Sequence, residues 1–515
     1  MKSFLSCLGL LALTSAGTVH TQASRFGATP SEYRAASVKL ASLEKDFVGL
    51  SRRYGVPMPT LRAIARGQAK AAPDFGSSRL RETMNKLAKD AAELRQQMAG
   101  LKGKVVALES AAGAGGSLEM KALSREFARA SNLLDAGDLV GANLLLEHIK
   151  KDAGLKKEGG AKLWVDVVKA GALLQFLAGD IAGFDDALRI AKAGLVGDTV
   201  ELVWELEQER GERLTEYGEM RQDVAMIERG ANVLSTGAAP LLDDVPRVQQ
   251  LRTMATLCRA KSSPFFERTL TSDNPEAWLA EFKKVLTLCS LAAKLADLTP
   301  EAPSSLRAHA NVHNAFVLAW LYAVGVGDQN RVDAIMRLEQ ALSLIKGNGN
   351  EREIASIYIG AGDVYGVLNL LQKKRNFTVK EIDLYTSAVA VVNKSADPSV
   401  WASAHQRIGS TYFLSYKNGY RRDDLLFSKR HFEDAASVFT RDFSELAWAR
   451  TLANLAAVRG YLGITDRSRT VVAASVLDLK TAEEALIGSS SQGVRTEAMR
   501  NRRILETWLM GNGRG

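Results

Sequence analysis

Four alanines in the last two-fifths of the chain, Ala341, Ala388, Ala435 and Ala482, stand 47 residues apart each time. A second series, Ala308, Ala355, Ala402 and Ala449, keeps the same interval. Two of its members match over a longer window, Ala355-Ser356 with Gly362 and Tyr365, and Ala402-Ser403 with Gly409 and Tyr412. A fixed period of this size means copies of one supersecondary unit, each burying its apolar face only by stacking on the next. Recurrent small residues let two helices approach closely while large neighbours fill the groove. The contexts, such as Phe432-Glu433-Asp434-Ala435 and Leu338-Glu339-Gln340-Ala341, carry no strand signal, so the unit is a helix pair. The expected fold class is all-α, an α-solenoid of helix-turn-helix repeats preceded by a helical, coiled-coil-like arm.

Length agrees, because 515 residues exceed what one hydrophobic core usually supports. Pro is scarce at 11 and Gly plentiful at 42, a balance that favours helices separated by glycine turns. Asp135-Ala136-Gly137-Asp138 and Leu177-Ala178-Gly179-Asp180 read as such hinges: a glycine closes one helix and an aspartate caps the next. The net charge of +9 permits attraction to anionic surfaces but, spread over so long a chain, does not point to nucleic acid.

The N-terminus has the order of a secretory signal: Lys2, an apolar run from Phe4 to Leu13, then small and polar residues up to Ala23. The run is too short for a bilayer core, which takes about 20 residues. Residues 1–23 are therefore expected as a signal peptide cleaved near Ala23. The protein would be exported, periplasmic or secreted, with no transmembrane helix in the mature chain. Thr29-Pro30-Ser31-Glu32 then opens a helix with a capping box. From Leu80 through Met84, Leu87, Ala91, Leu94, Met98, Leu101 and Val105 to Leu108 a heptad seam follows, more suited to intramolecular packing than to a dimer because Gly100 and Gly103 interrupt it. The expected organisation is thus a helical arm over 29–110, a Gly/Ala linker over 111–117, degenerate helical repeats over 118–260 and a solenoid of 47-residue period over 270–515.

The repeats resemble the tetratricopeptide (TPR) family, in the longer variety with a P-x-x-W start found in bacterial multi-repeat proteins. The matching stretches are Asn274-Pro275-Glu276-Ala277-Trp278, Asp397-Pro398-Ser399-Val400-Trp401 leading to Ile408-Gly409-Ser410-Thr411-Tyr412, and Leu446-Ala447-Trp448-Ala449 leading to Asn454-Leu455. Phe432-Glu433-Asp434-Ala435-Ala436-Ser437-Val438-Phe439 is similar to the family's second helix. The resemblance implies a scaffold that binds peptides or protein surfaces on its inner helices, and it carries over no catalytic residue.

Motifs for chemistry are few. His309 and His313, four apart on a helix, would share a face as zinc ligands must, but no third ligand can be named, and surface or groove-lining histidines are expected. His405 and His431 read as isolated residues in structural or solvent roles. Cys258 and Cys289, left after signal removal, read as two small buried hydrophobes rather than a pair. No phosphate loop, dinucleotide fingerprint or nucleophile elbow occurs. Lys150-Lys151 with Lys156-Lys157, Lys373-Lys374-Arg375, Arg421-Arg422 and Arg500 with Arg502-Arg503 read as a solvated face, and Tyr412, Tyr416 and Tyr420 as repeat-core packing. No catalytic, cofactor-binding or metal-binding residue and no cofactor is expected. The reading is a non-enzymatic exported scaffold or adaptor with a protein or peptide partner and no nucleic acid. The alternative is a regulatory or structural subunit that self-associates or docks on a separate enzyme through the heptad helix, its oligomeric state open.

Overall fold

A computed structural model describes residues 118–135, 142, 145–146, 148–149, 160–177, 180–195, 200–221, 223–269, 275–346, 351–369, 378–394, 397–487, 489 and 492–511. The signal segment, the arm, the Gly/Ala linker and the basic clusters at 150–157 and 373–375 lie outside these residues. Among the described residues the fold is all-α, with 16 helices and no strand.

Two compact units contain them. The first includes residues 118–207 and the second residues 208–394 and 398–515. In the first, α1 (Leu118–Asp135) is followed by α2 (Gly160–Leu177), α3 (Ile181–Ala193) and the opening turns of α4 (Val200–Arg221). Of the hinge read at Gly179-Asp180, the aspartate cap is present: the Asp180 carboxylate accepts from Gly183 N at 2.9 Å and caps α3, relieving one of the donors that a helix start leaves unpaired, whereas Gly179 and the hinge read at 135–138 past Asp135 lie outside the described residues. Phe176 and Phe184, 5.2 Å apart at their ring centroids, close α2 on α3, and Glu205 of α4 receives both Lys162 and Lys169 of α2.

The second unit continues through α5 (Val224–Val233), a π turn (Leu234–Ala238), a 3₁₀ turn (Ala239–Asp244), α6 (Arg247–Thr269) and α7 (Pro275–Leu298). The array follows as four helix pairs: α8 (Ser304–Ala323) with α9 (Gln329–Leu344), α10 (Glu351–Leu368) with α11 (Thr378–Val391), α12 (Pro398–Gly419) with α13 (Arg422–Ala436), and α14 (Glu445–Thr465) with α15 (Arg469–Ala485). A final α16 (Gln492–Gly511) packs on α14 and α15 and also meets α6. Within the array each helix packs on its chain neighbours, and each first helix also packs on the first helix of the next pair, which is the α-solenoid pattern.

The 47-residue period is a packing period. Both alanine series are fully buried in all four pairs. So are Leu338, Tyr385, Phe432 and Leu479, then Ile345, Val392, Phe439 and Leu486 at the ends of the second helices. Turn geometry repeats as well: Tyr420 and Arg467, one period apart, have φ of 56° and 53°, the left-handed conformation that reverses the chain between first and second helices.

The cysteines correct the sequence reading. Cys258 of α6 and Cys289 of α7 form a disulfide, Cα atoms 4.9 Å apart. Cys258 lies 11 residues before the end of α6 and Cys289 lies 14 after the start of α7. At 1.5 Å per residue, these distances bring the two nearly level in an antiparallel hairpin.

Candidate functional site

The first helices of the pairs carry polar residues where an ordinary amphipathic helix would face solvent, and these residues are buried. On α8 they include His309, Asn311 and His313; on α10 Arg352 and Asp363; on α12 Gln406 and Arg407; on α14 Arg450 and Asn454. The second helices are ordinary, with one buried and one exposed face. The inner surface expected to receive a ligand is therefore covered, and part of the cover is α4. Glu216 of α4 pairs with Arg352 at 3.5 Å and Glu219 with Arg259 of α6 at 3.2 Å. At the far end of α4, Arg221 donates to the Phe443 carbonyl and Ser444 donates to the Arg221 carbonyl at 2.8 Å, fixing α4 to the turn between α13 and α14.

Between successive first helices the polar row continues. Arg407 grips Asp363 through two bonds, 2.7 and 3.0 Å, and the Tyr385 hydroxyl donates to the same carboxylate at 2.8 Å. Gln406 donates to Thr451 at 3.4 Å. Charges removed from water need such partners, because an uncompensated one costs several kcal/mol.

His309 and His313 are buried rather than groove-lining, both on α8 with ring centroids 6.5 Å apart. Burial, helped by Arg259, depresses both: His313 falls to about 3 and His309 lies well below its ordinary value, with His313 contributing there. On α4, the Glu219 carboxyl is pushed up to about 8 by burial and by Glu216, against the pull of Arg259 and Arg352. Arg259 thus bears on two buried histidines held neutral and on a buried carboxyl whose proton is held more tightly than usual.

His405 and His431, read as isolated, meet. His405 on α12 and His431 on α13 approach through their Nδ1 atoms at 2.9 Å, and Asp434, one turn beyond His431, lies with Oδ2 3.3 Å from His405 Nδ1. The three can present one ligand atom each within 4.8 Å of one another. Trp401 lies over His405 with centroids 4.0 Å apart, and Tyr412 is within 12° of parallel to the His431 ring. Burial lowers both histidines, His405 to about 4, with Asp434 opposing. The sequence held half of the signal, the i, i+3 spacing of His431 and Asp434, whereas the arrival of His405 from 26 residues away depends on the pairing of α12 with α13.

The basic clusters that lie among the described residues are largely matched. Arg421 pairs with Asp424, Arg422 with Asp466 through two bonds of 2.9 and 3.0 Å, and Arg502 with Glu483 and Glu506. Tyr412 and Tyr416 pack against Phe427 and Tyr461, whereas Tyr420 stands exposed beside Tyr416. On the exposed faces of second helices, Val332, Val379 and Leu426 repeat at the 47-residue interval and are 53%, 70% and 40% exposed. No protein-family model matches this sequence, and no curated protein matches it. No described helix is long and apolar enough to cross a membrane.

Proposed function

We propose that the protein is a non-enzymatic, exported scaffold whose TPR-like repeats bind a protein or peptide partner. The observation that carries this reading is the row of Val332, Val379 and Leu426. Equivalent positions in a solenoid fall on one face in successive repeats, so the three form a periodic apolar strip along the second helices. Single exposed aliphatics are ordinary on a protein surface, but recurrence at the structural period is what an extended protein-binding face requires. The first helices, whose polar residues are buried, are assigned to holding the array rather than to recognition.

Matched arginines such as Arg422 and Arg502 support a protein partner over a nucleic acid, whose phosphates need unpaired cations in number. The Cys258–Cys289 disulfide supports export, since such bonds persist in oxidising compartments.

The test is affinity capture from envelope extract with the full chain and with a Val332→Asp/Val379→Asp/Leu426→Asp variant of unchanged helicity. A partner enriched by the parent chain and lost with the variant is the expected result. Equal recovery by both would remove the outer strip from the reading, and enrichment of nothing by either would remove the scaffold.

A further inference from the structure

We propose that His405, His431 and Asp434 form a binding site for a divalent transition-metal cation of the Zn²⁺ class, bridging α12 and α13. The donor set is two imidazole nitrogens and one carboxylate oxygen, a combination that suits borderline metals and leaves coordination positions open.

Geometry supports it in three ways. First, Zn–N and Zn–O bonds of about 2.0–2.2 Å set tetrahedral ligand atoms roughly 3.3 Å apart. The observed separations from His405 Nδ1, 2.9 Å to His431 Nδ1 and 3.3 Å to Asp434 Oδ2, lie within a few tenths of an ångström of that value. Second, the ligands come from both helices of one pair: His431 and Asp434 share a face of α13 by i, i+3 spacing, and His405 answers from α12. Third, the rings are aimed. His405 is buried, its Nε2 has no hydrogen-bond partner among the described residues, and Trp401 packs against it in a tilted contact with centroids 4.0 Å apart, so Nδ1 is its one polar outlet and points into the cluster.

Asp434 is 39% exposed in its side chain, which places the open positions toward solvent, where water or a partner's side chain would complete the shell. Lys394 and Arg430 also bear on His405; Lys394 Nζ bonds Ser437 Oγ at 2.8 Å and lies 4.9 Å from the Trp401 ring centroid. A dication attracted by charge alone would be repelled there. Binding therefore needs the imidazole bonds, which excludes Mg²⁺ and Ca²⁺ as occupants.

The experiment uses the full-length protein, stripped with a chelator and titrated with ZnCl₂ by calorimetry and with CoCl₂ by visible absorption. One equivalent of Zn²⁺, a Co²⁺ d–d band, and no competition by millimolar Mg²⁺ or Ca²⁺ are expected. His431→Ala and Asp434→Asn should each weaken this binding at least about 10-fold. Asp434 is partly exposed, so Asp434→Asn retains the fold, which circular dichroism checks. Absence of stoichiometric Zn²⁺ uptake would overturn the site. So would uptake that both variants leave unchanged, since the ion would then sit elsewhere.

Discussion

Tyr385 of α11 lies across Gly362 of α10 so closely that a Cβ added at 362 would stand 2.7 Å from ring carbon Cδ1 and 2.8 Å from Cζ. One period later, Gly409 meets Phe432, at 3.0 Å by the same measure. In the flanking pairs the corresponding first-helix residues are Ala315 and Ala456, and the second-helix residues are Leu338 and Leu479. Glycine thus stands where the partner is an aromatic ring, and alanine where it is leucine. Close packing requires this compensation, because an extra methyl in a filled groove has no space.

Gly409→Ala should therefore destabilise the protein, with overpacking of roughly 1–3 kcal/mol set against the helix-propensity gain of up to about 1 kcal/mol. Combined with Phe432→Leu, which recreates the Ala/Leu pairing of the neighbouring repeats, the loss should be smaller than the sum of the two single losses. Denaturant unfolding of the four proteins in the cycle measures the coupling, about 0.5 kcal/mol or more. Strict additivity would show that the two positions do not share a groove.

Arg407→Met leaves Asp363 buried without its guanidinium partner, and a cost of about 3–5 kcal/mol is expected. Replacing both, as Asp363→Leu/Arg407→Met, should recover a large part of that loss, since the penalty lies in the stranded charge. Thermal melts of the single and double variants decide it.

Stability should fall as pH rises from about 7.5 to 8.5. The Glu219 carboxyl titrates near 8 in the folded chain but near its ordinary 4.5 when unfolded, so its contribution is complete below 4.5 and disappears as pH passes through the folded value. From about 7.5 upward the depressed histidines His309, His313, His405 and His431 are nearly neutral in both states, since their ordinary value is 6.5, and add little slope. The slope limit for one proton is about 1.4 kcal/mol per pH unit. Melting temperature against pH for Glu219→Gln should be flat in this window, and a slope equal to that of the parent chain would refute the assignment.

The acid limb has the opposite sign. His313, about 3 when folded and 6.5 when unfolded, contributes stability that is present above 6.5 and is lost as pH falls toward 3. His313→Gln should therefore be less acid-sensitive than the parent chain in the same melts, and equal sensitivity would count against the buried neutral imidazole.

Reduction of Cys258–Cys289 frees a crosslink spanning 31 residues and should cost roughly 2–4 kcal/mol. Cys258→Ser/Cys289→Ser should reproduce the loss, and mobility on non-reducing gels should shift with the parent chain alone.

Local order along this chain was readable from residue types and spacing. The alanine series, the Asp180 cap, the helix starts at Pro275 and Pro398 and the all-α class all follow from periods of three or four residues and from backbone rules that act within one or two turns. The 47-residue interval added the solenoid, because copies of one helix pair can bury their apolar faces only on each other. Contacts between helices were not readable. Cys258 reaching Cys289, His405 reaching His431 and Asp434, and Arg407 reaching Asp363 each depend on the axial offset and crossing angle of two helices, set by side-chain volumes such as those at Gly362 and Tyr385. Whether His309, Glu219 and Arg352 are exposed or buried was decided in the same way. Their types alone favour exposure, and only the packing of neighbouring helices, with Glu216 of α4 against Arg352 of α10 among the contacts, turned these polar residues into buried ones.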